Sequence, residues 1–79
     1  MPLVSAKEVQ VQAQQALSAS PIYALRYLRV AQVNDTLRIS GTLSSFYHKQ
    51  LAQEVVKHAV EACEGAEVVE VVNAIHVQS

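Results

Sequence analysis

The chain has 79 residues, enough for one domain, since folded domains run from about 50 to 250 residues. Its composition is 51% hydrophobic and 16% charged, with 2 Gly and 2 Pro, which excludes a disordered or collagen-like chain. A formal net charge of -1 argues against wholesale attraction to nucleic acid. A single cysteine excludes an intrachain disulfide framework. We therefore expect one domain over residues 1–79, with its core in about residues 6–77.

A first helix is predicted near the start of the chain. Ser5 and Glu8 have the spacing of a capping box, in which the serine oxygen accepts the N–H three residues on. Apolar residues then recur on one helical face, at Val9, Ala13, Ala16 and Leu17. The pattern predicts a helix over residues 6–18, ended before Pro21, with its glutamines on a solvated face.

Two strands, residues 23–33 and 36–43, are predicted around a two-residue turn at Asn34-Asp35, because both turn residues tolerate positive φ. This turn fixes an antiparallel register in which Val33 faces Thr36. One face then carries Leu28, Val30, Leu37 and Ile39, and the other carries Arg29, Ala31, Val33, Arg38 and Ser40.

A second helix is predicted over residues 46–63, since Ser44 and Ser45 are suitable N-cap residues. A broad apolar stripe marks it as the more deeply buried of the two helices: Leu51, Ala52, Val55, Val56, Ala59, Ala62 and Cys63. Gly65 fits a left-handed cap just beyond its end.

A third strand is predicted over residues 68–77, which are rich in β-branched residues. Val69, Val71, Ile75 and Val77 share one face, and Val68, Val72 and Ala74 share the other. The order α-β-β-α-β predicts an α+β two-layer sandwich, a three-stranded sheet with two helices on one face. The second and third strands should be parallel; whether the third lies beside the first or the second stays open.

Three segments carry a family resemblance. Residues 28–42, LRVAQVNDTLRISGT, alternate apolar residues about a turn and end in Ser-Gly-Thr; apolar Leu51, Ala52 and Val55 follow, and the chain closes with Gly65 and VVNAIHV. Together they resemble the BON domain (bacterial osmotic-stress and nodulation domain), with its V-x-L-S-G-x-V and G-V-x-x-V-x-N-x-L-x-V patterns. The resemblance covers about residues 7–77. It implies a non-enzymatic module of bacterial envelope and stress proteins that binds phospholipid or holds partner domains.

The residues themselves give no sign of catalysis. There is no P-loop and no nucleophile motif, and His48, His58 and His76 lack metal-ligand spacing. Cys63 is expected to pack in the core as a small hydrophobe, and Glu54 with His58 to form a surface pair. We therefore expect no enzyme activity, metal or cofactor.

The charges are unevenly distributed along the chain. Residues 1–40 carry four basic and two acidic residues, whereas residues 41–79 carry two basic and five acidic ones. We therefore expect the hairpin end to be basic and to offer a site for anionic lipid headgroups, with these candidates: Arg26, Tyr27, Arg29, Arg38 and Lys49. The alternative is a solvated strand face. An aromatic content of 5% argues against nucleic-acid binding.

A second candidate surface is the sheet face turned away from the helices. If its apolar residues adjoin, they form a patch that a monomer would seldom expose: Ala31, Val33, Val68, Val72 and Ala74. This predicts, as the alternative function, a homodimer or another protein partner. The competing interpretation of this face is that its apolar patch is small and interrupted by Glu70 and the arginines.

The sequence does not fix a compartment. The N-terminus lacks the pattern of a signal peptide, and no run is apolar and long enough to span a bilayer. We expect a soluble chain, cytoplasmic by itself, and periplasmic or envelope-associated if it is part of a longer exported protein, as the resemblance implies.

Overall fold

The computed structural model describes residues 5–63, 65 and 70–78. It confirms the predicted α+β class, because two helices accompany a small mixed sheet. The elements in chain order are helix α1 (Ala6–Ser18), a 3-10 helix (Tyr23–Tyr27), strands β1 (Arg29–Val33), β2 (Thr36–Ser40) and β3 (Thr42–Leu43), helix α2 (Phe46–Ala62), and strands β4 (Glu70–Asn73) and β5 (His76–Val77).

Helix α1 has the predicted bounds. The Ser5 hydroxyl accepts the Glu8 N–H at 3.2 Å, as expected of the first half of a capping box. Its buried face consists of Ala6, Val9, Ala13 and Leu17. The prediction that its glutamines are solvated is wrong for Gln10 and Gln14, which are half-buried and hydrogen-bonded to the main chain of β1.

The first strand begins later than predicted. Residues 23–27 form a 3-10 helix, and the strand starts at Arg29. The alternation of apolar residues there was misleading, because tertiary contacts fix the segment. Leu25 is fully buried, and Arg26 Nε donates to the Ser20 carbonyl at 2.7 Å.

The hairpin register is confirmed for every pair from Arg29 opposite Ser40 to Val33 opposite Thr36. Asn34 takes the positive φ, 55°, that the turn needs. The predicted second strand is interrupted at Gly41, whose φ of 139° ends β2 before the chain resumes as β3. The inner and outer faces of the hairpin are sorted as predicted, since Leu28, Val30, Leu37 and Ile39 are buried.

Helix α2 begins as predicted, with the Ser45 hydroxyl accepting the His48 N–H, and ends one residue early, at Ala62. The prediction that α2 is the more deeply buried helix is wrong. Only Ala52 and Val56 are fully buried in it, and Ala62 is exposed, whereas α1 buries four residues. The reason is position: α1 packs against both α2 and β1.

The predicted third strand consists of two shorter strands, β4 and β5. The Ile75 N–H turns to the Asn73 side-chain oxygen, at 3.2 Å, between them. Strand β4 lies parallel to β2, as predicted, and beside it, which gives the order β1-β2-β4. The predicted strand residues Val68 and Val69 lie outside the described residues. Gly65 has the predicted left-handed φ, 72°.

Both helices pack on one face of the sheet. The core between them is formed by Val9, Ala13, Leu17, Leu25, Leu28, Val30, Leu37, Ile39, Leu43, Ala52, Val56 and Ile75. The predicted core thiol, Cys63, is half-buried at the edge of this cluster. The opposite face of the sheet is left uncovered by α1 and α2.

Candidate functional site

Three segments meet at the end of the molecule opposite the hairpin turn: residues 18–29, 41–49 and 74–78, which we call the aromatic end. Tyr23 and Tyr27 line one depression together with Leu43 and Gln78. Strand β3 pairs with β5 there, and α2 begins two residues after β3. The C-terminal ends of α1 and β5 are therefore brought together with the starts of β1 and α2.

All four aromatic residues of the chain lie at this end, and all four are exposed. Their exposed fractions are 64% for Tyr23, 67% for Tyr27, 75% for Phe46 and 70% for Tyr47. None of them contributes to the core, which is aliphatic. Aromatic side chains usually supply core area, so four exposed rings at one end are an unusual feature of this surface.

Two of the tyrosines form an ordered cluster with Arg26. The Tyr23 and Tyr27 hydroxyls are 2.6 Å apart, and their rings meet edge to face at 5.3 Å. The Arg26 guanidinium carbon lies 5.6 Å from the Tyr23 ring centroid, within range of a cation–π contact. The hydrogen bond to Tyr23 raises the pKa of Tyr27 above 10.0, although the positive charge of Arg26 opposes the shift.

The charge at the aromatic end is uniformly positive. Its segments hold Arg26, Arg29 and Lys49, three of the six basic residues of the chain, and contain no Asp or Glu. The described carboxylates lie elsewhere: Glu8 at the start of α1, Asp35 in the hairpin turn, Glu54 and Glu61 on α2 and Glu70 at the start of β4. An anionic surface would thus meet no repulsion from acidic side chains of this end.

Four of the five predicted headgroup residues are brought together at this end. Arg26 and Arg29 line one small depression with Tyr27, and Lys49 lies in the first turns of α2. Arg38 is not with them. It lies in the middle of the outer sheet face, between Ala31 and Val72. Its place in β2 is two residues before Ser40, which faces Arg29, so Arg38 and Arg29 lie diagonally on this face, as expected from the sequence.

The charge distribution predicted that the hairpin end of the chain is basic. The turn itself carries Asp35, and the basic residues lie where the hairpin starts. Three exposed aromatic residues of the site, Tyr23, Phe46 and Tyr47, were not among the predicted candidates. Phe46 and Tyr47 directly follow the N-cap Ser45 and precede the apolar stripe of the helix. Residues at such positions are exposed, so their place before the stripe could have identified them from the sequence.

The outer sheet face carries the other predicted surface. Ala31 and Val33 are exposed on β1, with 59% of Val33 accessible, and Val72 is exposed on β4. Ala74 is half-buried, and Val68 lies outside the described residues. Arg38 lies between Ala31 and Val72, whereas Val33 and Val72 line one depression together with Arg38.

Within the described residues, no group of His, Cys, Asp and Glu side chains could hold a metal ion. His58 and Glu54 line a shallow groove between α1 and α2, where Val55 and Ala59 form the floor.

None of the helices in the described part of the chain is both long and apolar enough to cross a bilayer. No protein-family model matches the chain, and no curated protein matches it.

Proposed function

We propose that this chain is a non-catalytic binding module of the BON type, and that it associates with anionic phospholipid surfaces through the aromatic end. The observation that carries the proposal is the coincidence of all four exposed aromatic side chains with three basic residues and no carboxylate. Amphipathic rings favour the boundary between lipid headgroups and acyl chains, because the apolar part of the ring contacts the acyl chains while its polar group contacts water.

The electrostatic part of this binding is modest. Each basic residue near an anionic membrane contributes about 1 kcal/mol, so Arg26, Arg29 and Lys49 together contribute about 3 kcal/mol. Partial insertion of Phe46 and the tyrosines adds burial of apolar area. Binding should therefore be reversible, weakened by salt and confined to vesicles with anionic lipid.

The test is cosedimentation with phosphatidylglycerol-containing vesicles, using two charge-reversal variants. Arg29→Glu with Lys49→Glu removes charge at the aromatic end, and Arg38→Glu with Lys57→Glu makes the same change in net charge elsewhere. We expect the first variant to lose affinity by at least about tenfold and the second to lose much less. Equal losses would mean that binding follows net charge, and no binding by the wild type would refute the proposal.

Insertion of the aromatic residues can be measured directly, because the chain has no tryptophan. Phe46→Trp places a fluorophore at the most exposed aromatic position. We expect its emission to shift to the blue with anionic vesicles and to stay unchanged with purely zwitterionic ones. An unchanged spectrum on bound protein would contradict a role for Phe46 in insertion.

A further inference from the structure

The two edges of the three-stranded sheet differ in how their main-chain groups are satisfied. Strand β1 forms one edge and β4 the other. Along β1, helix α1 bonds the outward groups of Leu28 and Val30: Gln14 donates to the Leu28 carbonyl at 2.9 Å and accepts from the Val30 N–H at 2.8 Å, and Gln10 donates to the Val30 carbonyl at 2.7 Å. These side chains occupy the place of a further strand.

Strand β4 has no such cover from the described residues. Val72 pairs with Arg38, and the Ala74 N–H donates to the Ile39 carbonyl. The main-chain N–H and C=O groups of Val72 and Ala74 therefore face β2. In a parallel ladder the alternate residues point the other way. The N–H and C=O groups of Val71 and Asn73 therefore face outward, and no described residue bonds to them.

We propose that this edge pairs with β4 of a second copy of the chain, in antiparallel register about a two-fold axis at Val72. In that register Val71 faces the partner's Asn73, and each pair exchanges two N–H···O bonds. It is the one two-fold register that uses all four outward groups within β4. The result is a continuous six-stranded sheet across the two copies.

The side chains of β4 suit this register. Val72 would meet the partner's Val72 on the outer face, at a non-hydrogen-bonded position where side chains are closest. Glu70, the one charged residue of β4, would lie opposite the partner's Ala74 and not opposite another carboxylate. The Asn73 side chain already bonds the Lys49 carbonyl at 2.9 Å on the inner face, so it stays clear of the edge.

Pairing through this edge meets less electrostatic opposition than association through the outer sheet face. Arg38 in the centre of that face opposes face-to-face contact between copies, because two such faces would bring like charges together. The edge instead brings together main-chain donors and acceptors, which attract another strand whatever its sequence. On β1, helix α1 leaves only the outward groups of Gln32 unbonded, whereas β4 presents those of both Val71 and Asn73 with no described partner.

The first test is sedimentation equilibrium of the chain over concentrations up to about 1 mM, with two matched variants. Val72→Asp places two carboxylates at the two-fold axis, whereas Val33→Asp makes the same change at an exposed valine of the same face, on β1. We expect a reversible dimer, an increase of at least about tenfold in its dissociation constant with Val72→Asp, and little effect of Val33→Asp. A monomer throughout the range, or equal effects of both variants, would overturn the proposal.

Amide hydrogen exchange of the wild type separates edge pairing from face-to-face association without any substitution. The N–H groups of Val71 and Asn73 should become protected as concentration rises, while the outward N–H of Gln32 on β1 should not. A dimer that is sensitive to Val72→Asp but leaves Val71 and Asn73 unprotected would be a face-to-face dimer and would refute the edge. Vesicle binding is not needed in either experiment, so a failure here leaves the proposed function untouched.

Discussion

Gly41 is the residue at which the second strand of the hairpin is divided. Its φ of 139° lies in a region that side chains rarely adopt, and a Cβ there would lie 2.7 Å from Leu28 Cδ2. Leu28 is itself buried in the core, so it has little room to move. We expect Gly41→Ala to lower the free energy of unfolding by about 1–3 kcal/mol, measured as a shift in the urea midpoint at unchanged slope.

Gly65→Ala is the comparison for this substitution. Gly65 has a left-handed φ of 72°, where the strain on alanine is smaller, about 1 kcal/mol. At Gly41 the contact with Leu28 adds to the backbone strain. A loss at Gly41 no greater than that at Gly65 would contradict the steric part of this explanation.

Helix α1 stabilises β1 by hydrogen bonding as well as by packing, and Gln14 makes the larger contribution because it both donates and accepts. Removing it leaves the Leu28 carbonyl and the Val30 N–H without these partners. We expect Gln14→Ala to cost about 2 kcal/mol of stability in urea denaturation, at about 1 kcal/mol for each bond.

The exposed Gln15 on the same helix provides the matched control. Gln15→Ala should change stability by less than about 0.5 kcal/mol, as is usual for surface positions. Gln14→Ala should also increase association at high concentration, because it opens a second strand edge. Equal stability of the two variants would show that the bonds from Gln14 to β1 contribute nothing.

The elements that the sequence predicted well are those determined locally. Each local signal lies within a few residues of the structure that it determines, as at Ser5, Ser45 and Asn34. The turn at Asn34 also determined the hairpin register. The 3-10 helix was missed because it depends on the burial of Leu25 and on the bond from Arg26 to Ser20. Periodicity carries no information about such tertiary contacts.

The candidate site shows the same limit. Arg26, Tyr27 and Arg29 are close in sequence, and their grouping was predicted from the sequence. Phe46 and Tyr47 join them only because β3 pairs with β5 and returns the chain to the same end. Arg38 lies outside the aromatic end because it is in the middle of β2, two residues before Ser40, which faces Arg29.

The whole molecule is elongated, with principal extents of 45 × 23 × 15 Å. Its aromatic end is positive and lacks carboxylates, whereas Asp35, Glu61 and Glu70 lie towards the other end. Such a charge distribution orients a molecule on an anionic surface, since the acidic end is repelled from it. The proposed lipid contact therefore has a defined direction, with the hairpin turn pointing away from the membrane.

Pairing through β4 would have a consequence for this orientation. The two-fold axis at Val72 is perpendicular to the sheet, so antiparallel pairing places the two aromatic ends at opposite ends of the dimer. We therefore predict that the wild type clusters phosphatidylglycerol vesicles, measured as turbidity, at concentrations where it dimerises. Val72→Asp should still bind vesicles in cosedimentation but should no longer cluster them, whereas Arg29→Glu with Lys49→Glu should lose both properties. Clustering that persists in Val72→Asp would show that bridging does not depend on this edge.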